Sequence, residues 1–265
     1  MVAVFPVQTS EHLGHHCTRG VDLYITADRT ILLDVQPLLS PSIMDLFYGE
    51  KKSTEYHNID SNFYIQSLQL VSFLLSVCHT VLLVQDWFHD ASLLRFIQTA
   101  DMLKPSTHDS KASLEDLKDY NPQLVFVQNK CTRPDYYPDT IRDMHYLLSI
   151  LFHNSKLKHS GLVSMDFIKE DDESANKVNL FLIPEIEGDS NVLERVVTDL
   201  TTLQYRGHPG WKQVCQSFCQ QVMSLPRPNL TSQTFSEKNW FHFAGKTWDN
   251  IKKSNLYLEY KRLIL

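Results

Sequence analysis

Glycine is scarce in this chain: eight residues among 265, at positions 14, 20, 49, 161, 188, 207, 210 and 245. None falls in a Gly-x4-Gly-Lys-[Ser/Thr] pattern, so these residues set up no loop of backbone N–H groups to cradle a triphosphate. Positive charge is short as well. Lys and Arg number 25 against 31 Asp and Glu, a net charge of −6, and no basic stretch interleaves with aromatics. Direct binding of RNA or DNA needs clustered cations, so it is not expected. The five cysteines, at 17, 78, 131, 215 and 219, include no Cys-x-x-Cys pair, which argues against a disulfide framework. Cys215 and Cys219 stand four apart on a predicted helix and read as small buried thiols. No apolar run approaches about 18 residues, so no membrane span is expected. Met1 precedes a short apolar run without a basic flank; no secretory leader is expected, and the predicted setting is the reducing cytoplasm.

Motifs of common hydrolytic and metal chemistry are missing too. There is no Gly-x-Ser-x-Gly elbow to seat a nucleophile. "HLGHH" (12–16) lacks the further ligands that a His-rich metal site requires and reads as a solvated loop. "KEDDES" (169–174) lacks the alternating ligands and central glycine of a calcium loop.

What is there is a 43% hydrophobic chain, enough for one large domain or a domain with an appended helical piece. "VDLYIT" (21–26) and "TILLDV" (30–35) read as adjacent strands joined by "ADR", with both faces covered because the polar alternation is weak. "TVLLVQDW" (80–87) and "QLVFVQNK" (123–130) read as buried parallel strands, and "VNLFLIP" (178–184) as a further strand ended by Pro184. Between them lie helix-period segments. In 61–79, Phe63, Leu70, Phe73, Leu74 and Val77 share a face; 90–104 opens on Asp90 as N-cap and stops before Pro105; 138–154 has Pro138 near its start; 208–225 is a further helix. In 234–265, Thr234 and Glu237 form a capping box, and Trp240, Phe241, Ala244, Trp248 and Ile251 fall on one face, which reads as docked on the domain's own core, the alternative being a partner-facing helix. Alternation of strand and helix predicts an α/β fold: a mostly parallel sheet with helices on both faces, plus a C-terminal helix.

Ligands in such sheets sit at the carboxyl ends of strands. Asp34, Asp86 and Asn129 all fall at predicted strand ends and could share one rim. Thr18, just before a strand, matches a metal-binding switch threonine. Asp34 in "DVQP" matches a metal-side carboxylate, although Pro37 stands where an Asp-x-x-Gly motif has its glycine, and proline offers no N–H. Asn129 and Lys130 in "NKCT" match a base-reading pair, with Thr132 in place of the aspartate. On these residues alone Asp34 is either a magnesium ligand or the polar end of a strand.

The blocks "GVDLYITADRTILLDVQPLLSPSIMD", "LLVQDWFHDASLLRFIQTADMLKPST", "LVFVQNK", "VNLFLIP", "YRGHP" and "SEKNWFHFAGKTWDNIKKS" run in order along the whole chain. Together they resemble the SMG protein nine family, the G-domain subunit of the nonsense-mediated mRNA decay machinery. The resemblance implies a P-loop NTPase (G-domain)-like fold over residues 1–225 and, over 226–265, a linker with an amphipathic helix packed on it. It implies a regulatory, non-enzymatic role. The expected partners are SMG protein eight, in a heterodimer, and the phosphatidylinositol-3-kinase-related kinase of the same series, which phosphorylates the decay helicase. No cofactor, membrane or direct nucleic-acid contact is expected, and Thr18, Asp34, Asn129 and Lys130 are expected to be a vestigial nucleotide site. Family members carry a first strand and phosphate loop ahead of the block that begins here near Val4. The expectation is therefore a shortened form, with "TILLDV" and "TVLLVQ" lacking the strand between them and the sheet destabilised or rearranged. The competing class is a nucleotide-hydrolysing G-domain enzyme.

Overall fold

A computed structural model describes Phe5 and residues 16–50, 59–86, 90–105, 120–165, 177–185, 210–230 and 236–264. The strands are β1 (Val21–Ile25), β2 (Ile31–Val35), β3 (Thr80–Gln85), β4 (Gln123–Cys131) and β5 (Leu180–Pro184). The helices are α1 (Pro41–Glu50), α2 (Ile59–Val77), α3 (Ala91–Leu103), α4 (Pro138–Leu151), α5 (Trp211–Ser224), α6 (Glu237–Lys253) and α7 (Asn255–Ile264). The chain divides into two compact units: Met1–Phe73 with Gln233–Leu265, and Leu74–Ser232.

The second unit is the α/β part. Its sheet has the order β3-β4-β5, both pairs parallel, with α3 and α4 as the crossovers. Each crossover helix has a legible start. Asp90 caps α3 by accepting the Ser92 N–H at 2.8 Å, and Pro138 opens α4, where its missing N–H costs nothing. Leu94, Phe96, Ile97, Ala100 and Leu103 of α3 are buried, as are Ile141, Met144 and Leu148 of α4. Each of the larger of these side chains contributes about 1.5–3 kcal/mol by leaving water, and the Ala100 methyl about 0.8. Phe152 packs edge-on against Phe126 of β4 at 5.1 Å, and Phe181 of β5 meets Phe218 of α5 at 4.8 Å. The expected buried parallel strand is realised fully in β4. In β3 it is realised on one face, with Leu83 buried and Leu82 and Val84 exposed, because β3 is the edge of its sheet.

The first unit corrects three expectations. β1 and β2 do not join a parallel sheet; they form an antiparallel hairpin of their own. Its two faces are not covered either. Register places Val21, Leu23, Ile25, Ile31, Leu33 and Val35 on one face, yet Leu23 and Ile25 are 45% and 42% exposed. The weak alternation thus came from an aliphatic face backed by Tyr24 and Leu32, not from burial on both sides. Arg29 closes the turn at φ 62, in the left-handed region, and its guanidinium grips Glu237 with two bonds of 2.7 and 2.5 Å.

The third correction concerns the C-terminal segment, which is two helices. Ser236 caps α6 by accepting from the Asn239 N–H, and α6 ends at a Ser254 cap before α7; Thr234 of the expected capping box lies outside the described residues. Trp240, Ala244 and Ile251 are buried as expected, joined by Thr247, while Phe241 is 68% exposed. One residue along a helix is a 100° turn, and that step carries Phe241 off the buried stripe. Trp248 is half-buried and meets Phe73 of α2 edge-on at 5.5 Å. α1 fell outside the sequence-based elements, and α2 is buried well beyond its expected stripe, with Leu68, Val71 and Leu75 also enclosed.

Candidate functional site

In the α/β unit the site grows from an irregularity. β4 pairs regularly with β5 up to Gln128, then shifts register before Cys131. Within the shift Lys130 takes φ 53, a left-handed conformation that costs an L-residue about 1–2 kcal/mol. In a regular strand Asn129 and Lys130 would point to opposite faces. The bulge re-aims them, as bulges near binding sites do, and both reach Asp86, which follows the last residue of β3. Asn129 Nδ2 donates to Asp86 Oδ1 at 3.2 Å, and Lys130 Nζ to Oδ2 at 2.6 Å. That bond and the charge of Asp86 raise the Lys130 pKa above its usual value. Both side chains remain open to water, 60% for Lys130 and 44% for Asp86, so the pair is worth under about 1 kcal/mol.

Thr132 is occupied locally. Its N–H and hydroxyl both donate to Asp135 Oδ2, at 2.7 and 2.9 Å, closing a short 3-10 turn over Arg133–Tyr136. The carboxylate that a base-reading motif would aim at a ligand thus stands three residues later and serves as a cap. Trp87, Phe88 and His89 of "DWFHD" lie outside the described residues.

In the first unit Thr18 and Asp34 meet. Thr18 is 7% exposed, and its hydroxyl donates to Asp34 Oδ2 at 2.5 Å. Two backbone-anchored bonds hold the approach: Gly20 N–H to Gln36 Oε1 at 2.8 Å, and Gln36 N–H to Gly20 O at 2.9 Å. Gly20 sits at φ 78, where only glycine is unstrained. Asp34 also lies directly opposite Asp22 in the hairpin register, a like-charge pairing that opposes the strand contact. His16, from "HLGHH", shares a hydrogen bond of 2.8 Å with Ser42 through Nδ1.

Thr18 thus meets Asp34 within the first unit, and Asn129 and Lys130 meet Asp86 within the second. Sequence reasoning placed Asp86 and Asn129 on one rim but did not give Asp86 its role as the acceptor common to Asn129 and Lys130. Its position at the end of a β-branched run was the only available signal, since the bulge that gathers the three cannot be read from periodicity. The amide and ammonium that would meet a base or phosphate are engaged with a carboxylate, and a carboxylate repels phosphate. Among the described residues no group of three or more His, Cys, Asp or Glu side chains could hold a metal. No helix there is long and apolar enough to cross a membrane.

No protein-family model matches the chain. It is 40% identical over 288 aligned residues, 98% of its own length, to the nonsense-mediated mRNA decay factor SMG9 of Xenopus tropicalis. The corresponding factor of Salmo salar is 39% identical over 281 residues, again 98% of this chain. The factor of Caenorhabditis elegans is 33% identical over 143 residues, 54% of this chain and 36% of the relative. The chain spans 56% of the length of the frog and salmon relatives.

Proposed function

Over 98% of its length the chain belongs to the family of the SMG9 nonsense-mediated mRNA decay factors, and from that premise we propose that it is a regulatory, non-catalytic subunit of that pathway. It works through protein contacts. SMG protein eight is its heterodimer partner, and together they control the SMG phosphatidylinositol-3-kinase-related kinase in the cytoplasm. The β3-α3-β4-α4-β5 run is the second half of a G-domain-like sheet, kept as a scaffold rather than as a triphosphatase.

The observation that carries the non-catalytic reading is the capture of Asn129 and Lys130 by Asp86. A nucleotide enzyme of this architecture needs those donors on its ligand, together with a glycine-rich loop, and no Gly-x4-Gly-Lys-[Ser/Thr] stands in the 265 residues. A pair of measurements tests the proposal. Co-expression with SMG protein eight is expected to return a one-to-one complex. Equilibrium dialysis of the chain against GTP or ATP is expected to show no retention at micromolar concentration. Repeated failure to co-purify removes the regulatory reading; retention with turnover of a triphosphate establishes the enzyme instead.

A further inference from the structure

The helical cysteines do not behave as the small buried thiols expected from the sequence. On α5, Cys215 is half-buried and Cys219 is exposed. Residues four apart on a helix lie one turn apart on the same face, and Met223 stands one further turn along, 39% exposed. The sequence "CQSFCQQVM" thus lays three sulfur atoms along one ridge. The ridge borders the buried side of the helix, where Val214 is enclosed and Phe218 packs on Phe181.

We propose that Cys215 and Cys219, with Met223 beside them, form a soft-donor site on α5 that binds one Cu(I) ion. Geometry selects the metal over a disulfide. Cβ atoms four apart on a helix are about 5–6 Å apart, whereas a disulfide needs about 3.5–4.5 Å and would have to unwind the turn. Thiolate–metal bonds of about 2.3 Å allow two sulfurs to stand about 4.6 Å apart across one ion, which this spacing permits with the helix intact. Donor count selects the ion. Zinc wants four ligands, and no third His, Cys, Asp or Glu completes such a set among the described residues. Cu(I) is satisfied by two or three soft donors and prefers thiolate and thioether. Met223 stands one turn C-terminal to Cys219 with its Sδ against Arg227 Nη2 at 3.5 Å, and supplies the third soft donor by turning from that contact toward Cys219. On binding, two S–H bonds break and two Cu–S bonds form. Both protons pass to solvent, and copper stays Cu(I). The resulting bis-thiolate unit carries one negative charge. Arg227 is the nearby cation: its Nη2 donates to Met223 O at 2.8 Å and contacts Met223 Sδ at 3.5 Å.

The test adds Cu(I), as its acetonitrile complex, to the reduced 265-residue chain under argon, with bathocuproine disulfonate as competitor and native mass spectrometry for stoichiometry. One copper per chain is expected. Cys215→Ser and Cys219→Ser should each weaken binding by more than about a hundredfold, beyond the loss seen when only outer supporting groups are removed. Met223→Leu should weaken it several-fold, and Cys17→Ser, which removes another exposed thiol, should leave it unchanged. The double variant Cys219→Ser with Gln220→Cys keeps the thiol count but turns the second sulfur by 100°, and should not restore binding. Circular dichroism confirms that each variant retains its helices. Wild-type chain that yields all copper to the competitor overturns the proposal. So does equal binding by Cys219→Ser, an equal loss in Cys17→Ser, or full rescue by the displaced thiol.

Discussion

Replacing Asp86 by Ala removes the acceptor that Asn129 and Lys130 share, and the structure fixes what this should cost. Two unit charges at 2.6 Å attract by about 1.6 kcal/mol in water. Holding the lysine in one rotamer consumes up to about 2 kcal/mol. At the observed exposures of 60% and 44% the net worth is under about 1 kcal/mol, so Asp86→Ala should lower stability by no more than that. Lys130→Gly acts on a second quantity. It relieves the left-handed strain at φ 53, about 1–2 kcal/mol, but adds about 0.5–1 kcal/mol of unfolded-chain entropy. The relief nets about 0.5–1 kcal/mol and is cancelled by loss of the ion pair, so Lys130→Gly alone should be nearly neutral. In the Asp86→Ala background no pair with Asp86 remains to be lost, and the same substitution should stabilise by about 0.5–1 kcal/mol. Urea denaturation of the wild type, both single variants and the double variant measures all four midpoints at a common slope. Two results would refute the reasoning: a loss above about 3 kcal/mol in Asp86→Ala, the size expected of a buried pair, or a destabilising Lys130→Gly in the Asp86→Ala background.

Further outcomes follow from the first unit. Trp240→Ala should cost about 3–5 kcal/mol and Phe241→Ser under about 0.5 kcal/mol, read by urea denaturation; a stable Trp240→Ala that only loses its partner would place that ring at an interface. Asp34→Ala strips the buried Thr18 hydroxyl of its acceptor, at about 1–2 kcal/mol, partly offset by relief of Asp22. Asp34→Asn keeps an acceptor and should stay near wild type, and neither change should alter co-purification with SMG protein eight if the pair is only structural. Arg29 holds the Glu237 carboxyl down to about 2 from a usual 4.5. A depressed carboxyl pKa gives stability that is present above about 4.5 and lost as pH falls through about 2. Midpoints should therefore decline across that window, and Glu237→Gln should flatten the decline.

Much of this was legible in the sequence. Elements decided by local chemistry and periodicity stood where their residues put them: α3 between Asp90 and Pro105, α4 from Pro138, and the "LVFV" stretch of β4 (124–127) as a run of apolar β-formers that both faces of a sheet could enclose. The resemblance of whole blocks was legible for the same reason, since block order survives without any knowledge of contacts. Elements decided by what lies opposite a residue were not legible. Nothing in "VDLYIT" or "TILLDV" says that, among the described residues, these strands pair with each other alone and leave an aliphatic face half in water, and nothing in "EKNWFHFAG" says that Phe241 is turned off the stripe.

The site divides along the same line. Composition and spacing determined which groups exist: Thr18, Asp34, the Asn129–Lys130 pair, three sulfurs at four-residue steps, and no glycine cradle within these residues. Tertiary structure alone decided which groups meet. A register shift at the end of β4 turned two consecutive side chains toward one carboxylate on the neighbouring strand. A pattern of period two, read along a single strand, carries no information about where that period breaks or about what the next strand presents there.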